Sequence, residues 1–223
     1  MSSADAASTR LRRFVVVGRT ATSSADFSLV DLAGTSGRLD VLARCVRAAL
    51  LVSHGVRRDV IVYLVLLGGP AARGEGPARV VRIDGRVSEW LRPEERRLAL
   101  IVQRALEERE RARSPVMDHE DGPFLVLRNG VAVANGGLDV ALASIPSTSR
   151  RVVLDEHAED VRAAMLEHDD LTIVLGDHLG LDEAARRAIG DTHAVSLGPT
   201  SVLAEDAIAL MHNELDRRIA RAR

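Results

Sequence analysis

An α/β fold, with a mostly parallel sheet flanked by helices, is predicted by three features of the sequence. Near-continuous aliphatic runs recur at Arg12–Val17, Asp59–Leu67 and Leu171–Leu175, the pattern of strands buried on both faces. Segments with apolar residues at helical spacing stand between such runs. Aromatic residues are only 2% of the 223, so the core must be packed with Leu, Val, Ile and Ala, as layered α/β packing allows. Residues 1–10 read as a disordered leader and 11–223 as a single domain, with a variable region around 110–150.

The elements follow in order. Arg12–Val17 is a β-branched run that stops at Gly18, the first strand. The Ser-, Thr- and Asp-rich stretch Gly18–Gly37 reads as a loop, and loops that long are usually functional or hold a short element. From Arg38 a stripe through Leu39, Leu42, Val46 and Leu50 predicts a helix ending near His54-Gly55. Asp59–Leu67 is a central strand, and Gly68–Pro77 a breaker. Arg79–Ile83 and the segment around Val87 flank Asp84-Gly85, which suits a tight hairpin. Pro93-Glu94-Glu95 opens a helix, with Pro and acids in the first turn, running to about Arg113. After a linker at Pro115–Pro123 come a short strand (Phe124–Leu127) and a short helix (Leu138–Ile145). The remainder alternates: strand Arg151–Leu154, helix Glu159–Glu167, strand Leu171–Leu175, helix Asp182–Ile189, strand Ala194–Leu197. A closing amphipathic helix carries Val202, Ile208, Met211, Leu215 and Ile219 on one side.

Composition excludes several chemistries. All 30 basic residues are Arg, so there is no Schiff-base lysine, P-loop lysine or lysine base. Phosphate contacts must come from planar, bidentate guanidinium groups or from the backbone. A formal charge of −2 gives no overall polycation, although residues 1–60 hold nine Arg against five Asp. One cysteine, Cys45, excludes an intrachain disulfide framework and any cysteine zinc cluster. No metal site is expected, since the histidines lack ligand spacing. No apolar run approaches a membrane span and the start resembles no signal peptide, so a cytoplasmic protein is expected.

Two turns carry the best chemical signal. Leu171–Leu175 stops at Gly176, and Asp177, His178 and a second glycine, Gly180, lead towards a helix. Ser196-Leu-Gly-Pro-Thr-Ser201 is another strand end opening into a helix, where Thr200 or Ser201 can cap it. Ligands of open α/β sheets sit outside the carboxyl ends of strands, and glycine there lets them approach the backbone. An ordinary strand–turn–helix connection has the same local pattern. Two such turns separated by one helix are expected to form one crevice. A third cluster gathers glycines, hydroxyls, Arg38, Asp40, Arg57, Arg58 and Asp59. There an arginine can hold phosphate while an acid orients a base edge, or the same groups can form surface ion pairs.

Together these segments resemble the archaeal tRNA (pseudouridine(54)-N1)-methyltransferase family, within the trefoil-knot (SPOUT) superfamily. The resemblance rests on SSADFSLVDLAGTSGRLD (23–40), RCV (44–46), SHGVRRDV (53–60), GDHLG (176–180), SLGP (196–199) and HNELDR (212–217). It extends from about Phe14 to Arg217, with a poor match over 110–150. It implies a deep C-terminal trefoil knot, a homodimer, S-adenosyl-L-methionine as methyl donor and tRNA as substrate. Cofactor contacts are implied at Leu154, Gly176, Leu197, Gly198, Pro199, Thr200, Ser201, Val202 and Ala207. Ala207 stands where the family pattern often has Cys. A thiol is needed to activate a pyrimidine carbon covalently, whereas a ring nitrogen needs only positioning and loss of its proton. Near the nucleobase, Asp40 or Asp59 is the expected carboxylate, with Arg38 and Arg58 on phosphate. Methylation at another RNA position, a ribose hydroxyl or ribosomal base, and a catalytically silent RNA-binding protein are the alternatives.

Overall fold

A computed structural model of the chain describes residues 10–89, 91–112, 122–164, 166 and 170–221. The expected leader, apart from Arg10, and most of the expected linker at 115–123 lie outside the described residues. The strands are β1 (Leu11–Thr22), β2 (Leu51–Val52), β3 (Gly55–Val56), β4 (Val60–Gly68), β5 (Arg79–Asp84), β6 (Leu125–Val126), β7 (Val131–Asn135), β8 (Arg150–Asp160), β9 (Asp170–Gly176) and β10 (His193–Ser196). The helices are α1 (Leu32–Thr35), α2 (Leu39–Leu50), α3 (Glu95–Arg111), α4 (Leu138–Ala143), α5 (Glu183–Ile189) and α6 (Ala204–Arg221). Eight strands form one sheet in the order β10-β8-β9-β1-β4-β5-β7-β6. From β10 to β4 every pairing is parallel, and β5, β7 and β6 extend the sheet antiparallel.

The central strands are aliphatic on both faces because both faces are covered. Phe14 and Val16 of β1, with Val62 and Leu64 of β4, face a layer made by α2, α3 and α6. Val15 and Val17, with Ile61 and Val65, face the layer that includes α4 and α5. Each fully buried aliphatic side chain of this kind contributes about 1.5–3 kcal/mol.

Several elements differ from expectation. The first strand runs through Gly18 to Thr22, where its end pairs with Gly68, so the expected loop is shorter. The helix after Arg38 stops at Leu50, because residues 51–56 form the β2–β3 hairpin and Arg57 donates its N–H to the Leu50 carbonyl (2.7 Å). No hairpin forms at Asp84-Gly85. Arg58 Nη1 donates to the carbonyls of Gly85 (2.9 Å) and Ser88 (2.8 Å), fixing a turn, and β5 pairs with β4 and β7 instead. The expected helix Glu159–Glu167 is contradicted. Glu159 and Asp160 pair with Val195 and Ser196 as strand, and residues 161–163 form a turn. The last helix opens at Ala204, after Thr200 and Ser201, so neither caps it; Val202 is 43% exposed and off its buried side.

That helix is pinned along its length to the N-terminal half of the chain. The buried His212 ring stacks tilted on Phe14, centroids 4.8 Å apart. Its Nε2–H donates to the Ala49 carbonyl (3.0 Å), while Nδ1 accepts from Arg12 Nη1 (2.8 Å). Asp216 takes Arg12 and Arg57 at 2.6 Å each. A proton on Nδ1 would face a guanidinium, so His212 is held neutral. Burial, then the charges of Arg57 and Arg12, push its pKa from 6.5 down to about 3.

The unfolded chain therefore binds a proton at this position between pH 6.5 and about 3 that the folded chain refuses. The stability conferred by neutral His212 is complete above pH 6.5 and is lost as pH falls through that window, at about 1.4 kcal/mol per pH unit. Urea unfolding at pH 7 and pH 5 should differ by roughly 2 kcal/mol, and His212→Gln should flatten most of that difference.

Candidate active site

The cavity at the carboxyl ends of the parallel strands is created by a jump in strand register. β10 pairs with β8 at His193–Val152 and Ala194–Val153, then resumes at Val195–Glu159 and Ser196–Asp160. Residues 154–158 are forced out of the ladder as a bulge. The Ser196 hydroxyl closes the bulge. It lies 3.2 Å from the Glu156 carbonyl and 2.9 Å from the Gly198 carbonyl, and accepts the Gly198 N–H at 3.2 Å. The Asp155 carboxylate takes the His157 N–H (3.0 Å) and Arg186 of α5 (2.9 Å). The first of these contacts, then the second, hold Asp155 below the usual carboxylate range.

The opposite wall is the turn after β9. β1 and β9 stay in register as far as Val17–Gly176, and the Asp177 N–H still donates to the Val17 carbonyl (3.0 Å). The chain then folds back so tightly that a Cβ at Gly176 would stand 2.6 Å from the Cα and carbonyl oxygen of Gly180, and only glycine fits. Asp177 is buried and accepts the N–H groups of Arg19 and Leu179, both at 2.9 Å. Gly198 adopts φ +143° with open space where a side chain would be.

Between these walls lies a cavity of about 350 Å³, a volume common among small-molecule sites. It brings together Gly176, Leu154, Leu197, Gly198, Thr200, Ser201, Val202 and Ala207; of the expected cofactor residues Pro199 alone is not on its wall. Sequence reasoning missed Asp155, Glu156, His157, Asp177 and Arg186 on the lining. Asp177 and Gly180 fall inside the quoted GDHLG turn, whereas the charged string 155–159 has no strand-like pattern to mark it.

Arg38 and Asp40 stand at the start of α2, at the same end of the sheet. Arg38 is left-handed, φ 72°, which costs a non-glycine residue about 1 kcal/mol or more. Its guanidinium grips Asp40 through two bonds (3.0 and 3.2 Å), and Arg44 takes the same carboxylate at 3.1 Å. Arg44 also reaches Glu205 in the first turn of α6 (2.6 Å) and Glu95 of α3 (3.4 Å). Burial alone would raise the Asp40 pKa, but Arg38 and Arg44 outweigh it and hold the carboxyl below its usual range. Such a group is a poor proton acceptor.

Asp59 and Arg58 are not brought to this end. They precede β4 at the opposite end of the sheet, where the Asp59 carbonyl accepts the Arg12 N–H (2.8 Å) and its carboxylate lies 3.7 Å from Arg12 Nε. Roughly 20 Å of strand separates them from Gly176. Arg58 spends its guanidinium on the turn after β5. Cys45 is fully buried in α2, and burial, then Glu205, push its thiol pKa up, so it is no nucleophile. Among the described residues no group of three His, Cys, Asp or Glu is placed to hold a metal ion, and no helix is long and apolar enough to cross a membrane.

A family model described as SAM-dependent RNA methyltransferase matches residues 11–220. The tRNA (pseudouridine(54)-N(1))-methyltransferase of Methanosarcina acetivorans is 38% identical over 209 residues, covering 93% of this chain and 92% of its own. That of Halobacterium salinarum is 37% identical, covering 92% and 96%. The crystal structure of Archaeoglobus fulgidus Nep1 bound to S-adenosylhomocysteine shares the fold, with a TM-score of 0.59, 15% identity and coverage of 94% and 99%. By the length of the family match and the identity of these relatives, the chain belongs to the family of SAM-dependent RNA methyltransferases.

Proposed function

We propose that the chain methylates N1 of a pseudouridine in tRNA, at position 54, with S-adenosylmethionine held in the cavity between the Gly176 and Gly198 turns. The observation that carries this reading is the meeting of those two turns, with the 154–158 bulge, around one cavity lined by glycines, small and aliphatic residues and the acids Asp155, Glu156 and Asp177. The curated relatives bear this activity in their names.

The residues present suit the donor. Gly176, Gly180 and Gly198 line the cavity without side chains, so an adenine ring can approach the backbone closely there. Asp155, Glu156 and Asp177 offer acceptors for hydroxyl or ammonium groups and a negative field for a sulfonium. When bound, the donor supplies an electrophilic methyl group. The rest is positioning. Arg38, strained and held from behind by Asp40, which Arg44 fixes in turn, presents its free N–H groups to the RNA, and Asp40 orients it rather than taking the N1 proton. Ala207 on the cavity wall and the buried Cys45 leave no thiol to activate a carbon, which favours nitrogen as the acceptor.

The reading includes a deep trefoil knot formed around α6 and a cytoplasmic homodimer. Exposed Leu203, just before α6, and Leu210 on it (61% and 42% exposed) support an apolar contact surface there. Residues 11–223 act as one domain.

Calorimetric titration should show S-adenosylmethionine binding, and absence of binding up to millimolar donor would leave a silent RNA-binding protein. Mass mapping of tRNA from a deletion strain should show loss of one methyl group at pseudouridine 54; loss at a ribose or in ribosomal RNA would redirect the substrate. Gly176→Ala should weaken donor binding about ten- to hundredfold by displacing the 177–180 turn, as read by the same titration. Asp40→Asn should lower kcat/KM about tenfold or less at unchanged donor affinity, whereas a general base would cost about 10²–10⁴.

A further inference from the structure

Two arginines away from the cavity, one buried and one half-buried, each have a buried Nε without an acceptor and no acidic salt-bridge partner among the described residues. Arg109, in the last turn of α3, is 7% exposed. One N–H of its guanidinium donates to the Ala112 carbonyl (3.3 Å), and its buried Nε meets no acceptor. Arg79, at the start of β5, donates to the Pro77 carbonyl (3.3 Å), and its Nε is also buried without an acceptor. Neither forms a salt bridge among the described residues. Burial, then the charge of Arg109, lowers the pKa of Arg79, and Glu110 acts in the other direction. Glu110 itself accepts the Ala25 N–H (3.1 Å). Two like charges, each with its Nε buried and unpaired, disfavour the free protein, so an anion from outside is the natural complement.

Position identifies the anion. Arg79 pairs with Leu66 near the carboxyl end of β4, so it stands at the cavity's end of the sheet. Along that end the order is β9, β1, β4, β5, which sets Arg79 about 14 Å from the Gly176 turn. α3 is drawn to the same end by Gln103, whose Nε2 donates to the carbonyls of Ala25 (3.0 Å) and Phe27 (2.9 Å). We propose that Arg79 and Arg109 form a notch for a backbone phosphate of the RNA substrate, a few nucleotides from the base that enters the cavity. A phosphodiester brings several strong acceptors to two planar donor forks, and such a contact sets register without reading sequence. The proposal rests on the RNA-methyltransferase reading above.

The test compares the wild-type chain with Arg79→Gln, Arg109→Gln and the double variant. tRNA affinity is measured over a salt series, S-adenosylmethionine binding by calorimetry, and thermal stability with and without inorganic phosphate. The expected result is tRNA binding about tenfold weaker at low salt, with the slope of log K against log salt reduced by about 0.7–0.9 per lost contact. Donor affinity should be unchanged. Arg79→Gln should keep or raise Tm, because it removes an unpaired charge, and phosphate should raise the wild-type Tm more than that of the double variant. An unchanged salt slope with donor binding intact overturns the notch alone. So does a fall in Tm that accounts for the weaker tRNA binding, the mark of a structural arginine. A wild-type chain that binds donor but no tRNA overturns the substrate reading and the notch together.

Discussion

The parting of β1 and β9 at Gly176 governs the architecture of this molecule. The two strands are in register from Leu11 and Asp170 to Val17 and Gly176. Beyond that point β1 continues to Thr22 alongside β4, while the chain after β9 turns back on itself. That turn forms one wall of a crevice outside the carboxyl ends of β8, β9 and β10. The register jump between β8 and β10 opens it, and Ser196 closes the bulge through the Glu156 and Gly198 carbonyls. The cavity is thus a consequence of backbone pairing, and its walls combine glycines and small residues with aliphatic side chains and the charged string 155–157.

Electrostatics then join that crevice to the rest of the fold. Arg44 lies among Asp40, Glu95 and Glu205, so one guanidinium ties α2 to α3 and to the first turn of α6. Further along α6, His212 and Asp216 repeat the arrangement with Arg12 and Arg57. Half-buried pairs of this sort add little net stability but are costly to break singly. Their effect is to fix where α6 starts, and therefore where Ala204 and Ala207 meet the cavity. The family-like strings RCV, SHGVRRDV and HNELDR include this scaffold; the chemistry proposed for the chain lies elsewhere, at the turns and at Arg38.

How much of this was legible in the sequence depended on whether a residue acts through its own type or through its neighbours. Gly176 and Gly198 were legible only as a pair: each turn alone matches an ordinary connection, but two strand-end glycine turns separated by one helix point to one crevice. The buried strands of the sheet centre were legible because their aliphatic runs have no polar alternation. The bulge at 154–158 was not, since Asp155, Glu156, Glu159 and Asp160 resemble a solvated helix and become strand only through pairing with β10. The short strand β7 escaped because its Val and Ala residues share a segment with glycine-rich turns. Asp59 and Arg58 were placed near the nucleobase by their company in one motif. In the fold they serve the far end of the sheet, where Arg58 holds a turn and Asp59 meets Arg12.

The central claim is that the Gly176 and Gly198 turns act as one binding surface. Hydrogen exchange of the backbone amides, with and without saturating S-adenosylmethionine, tests it most directly. The account predicts slower exchange in both 176–180 and 197–202, together with 155–157, and little change in the β2–β3 hairpin. Protection of one turn without the other, or protection confined to the Asp59 end, would contradict it.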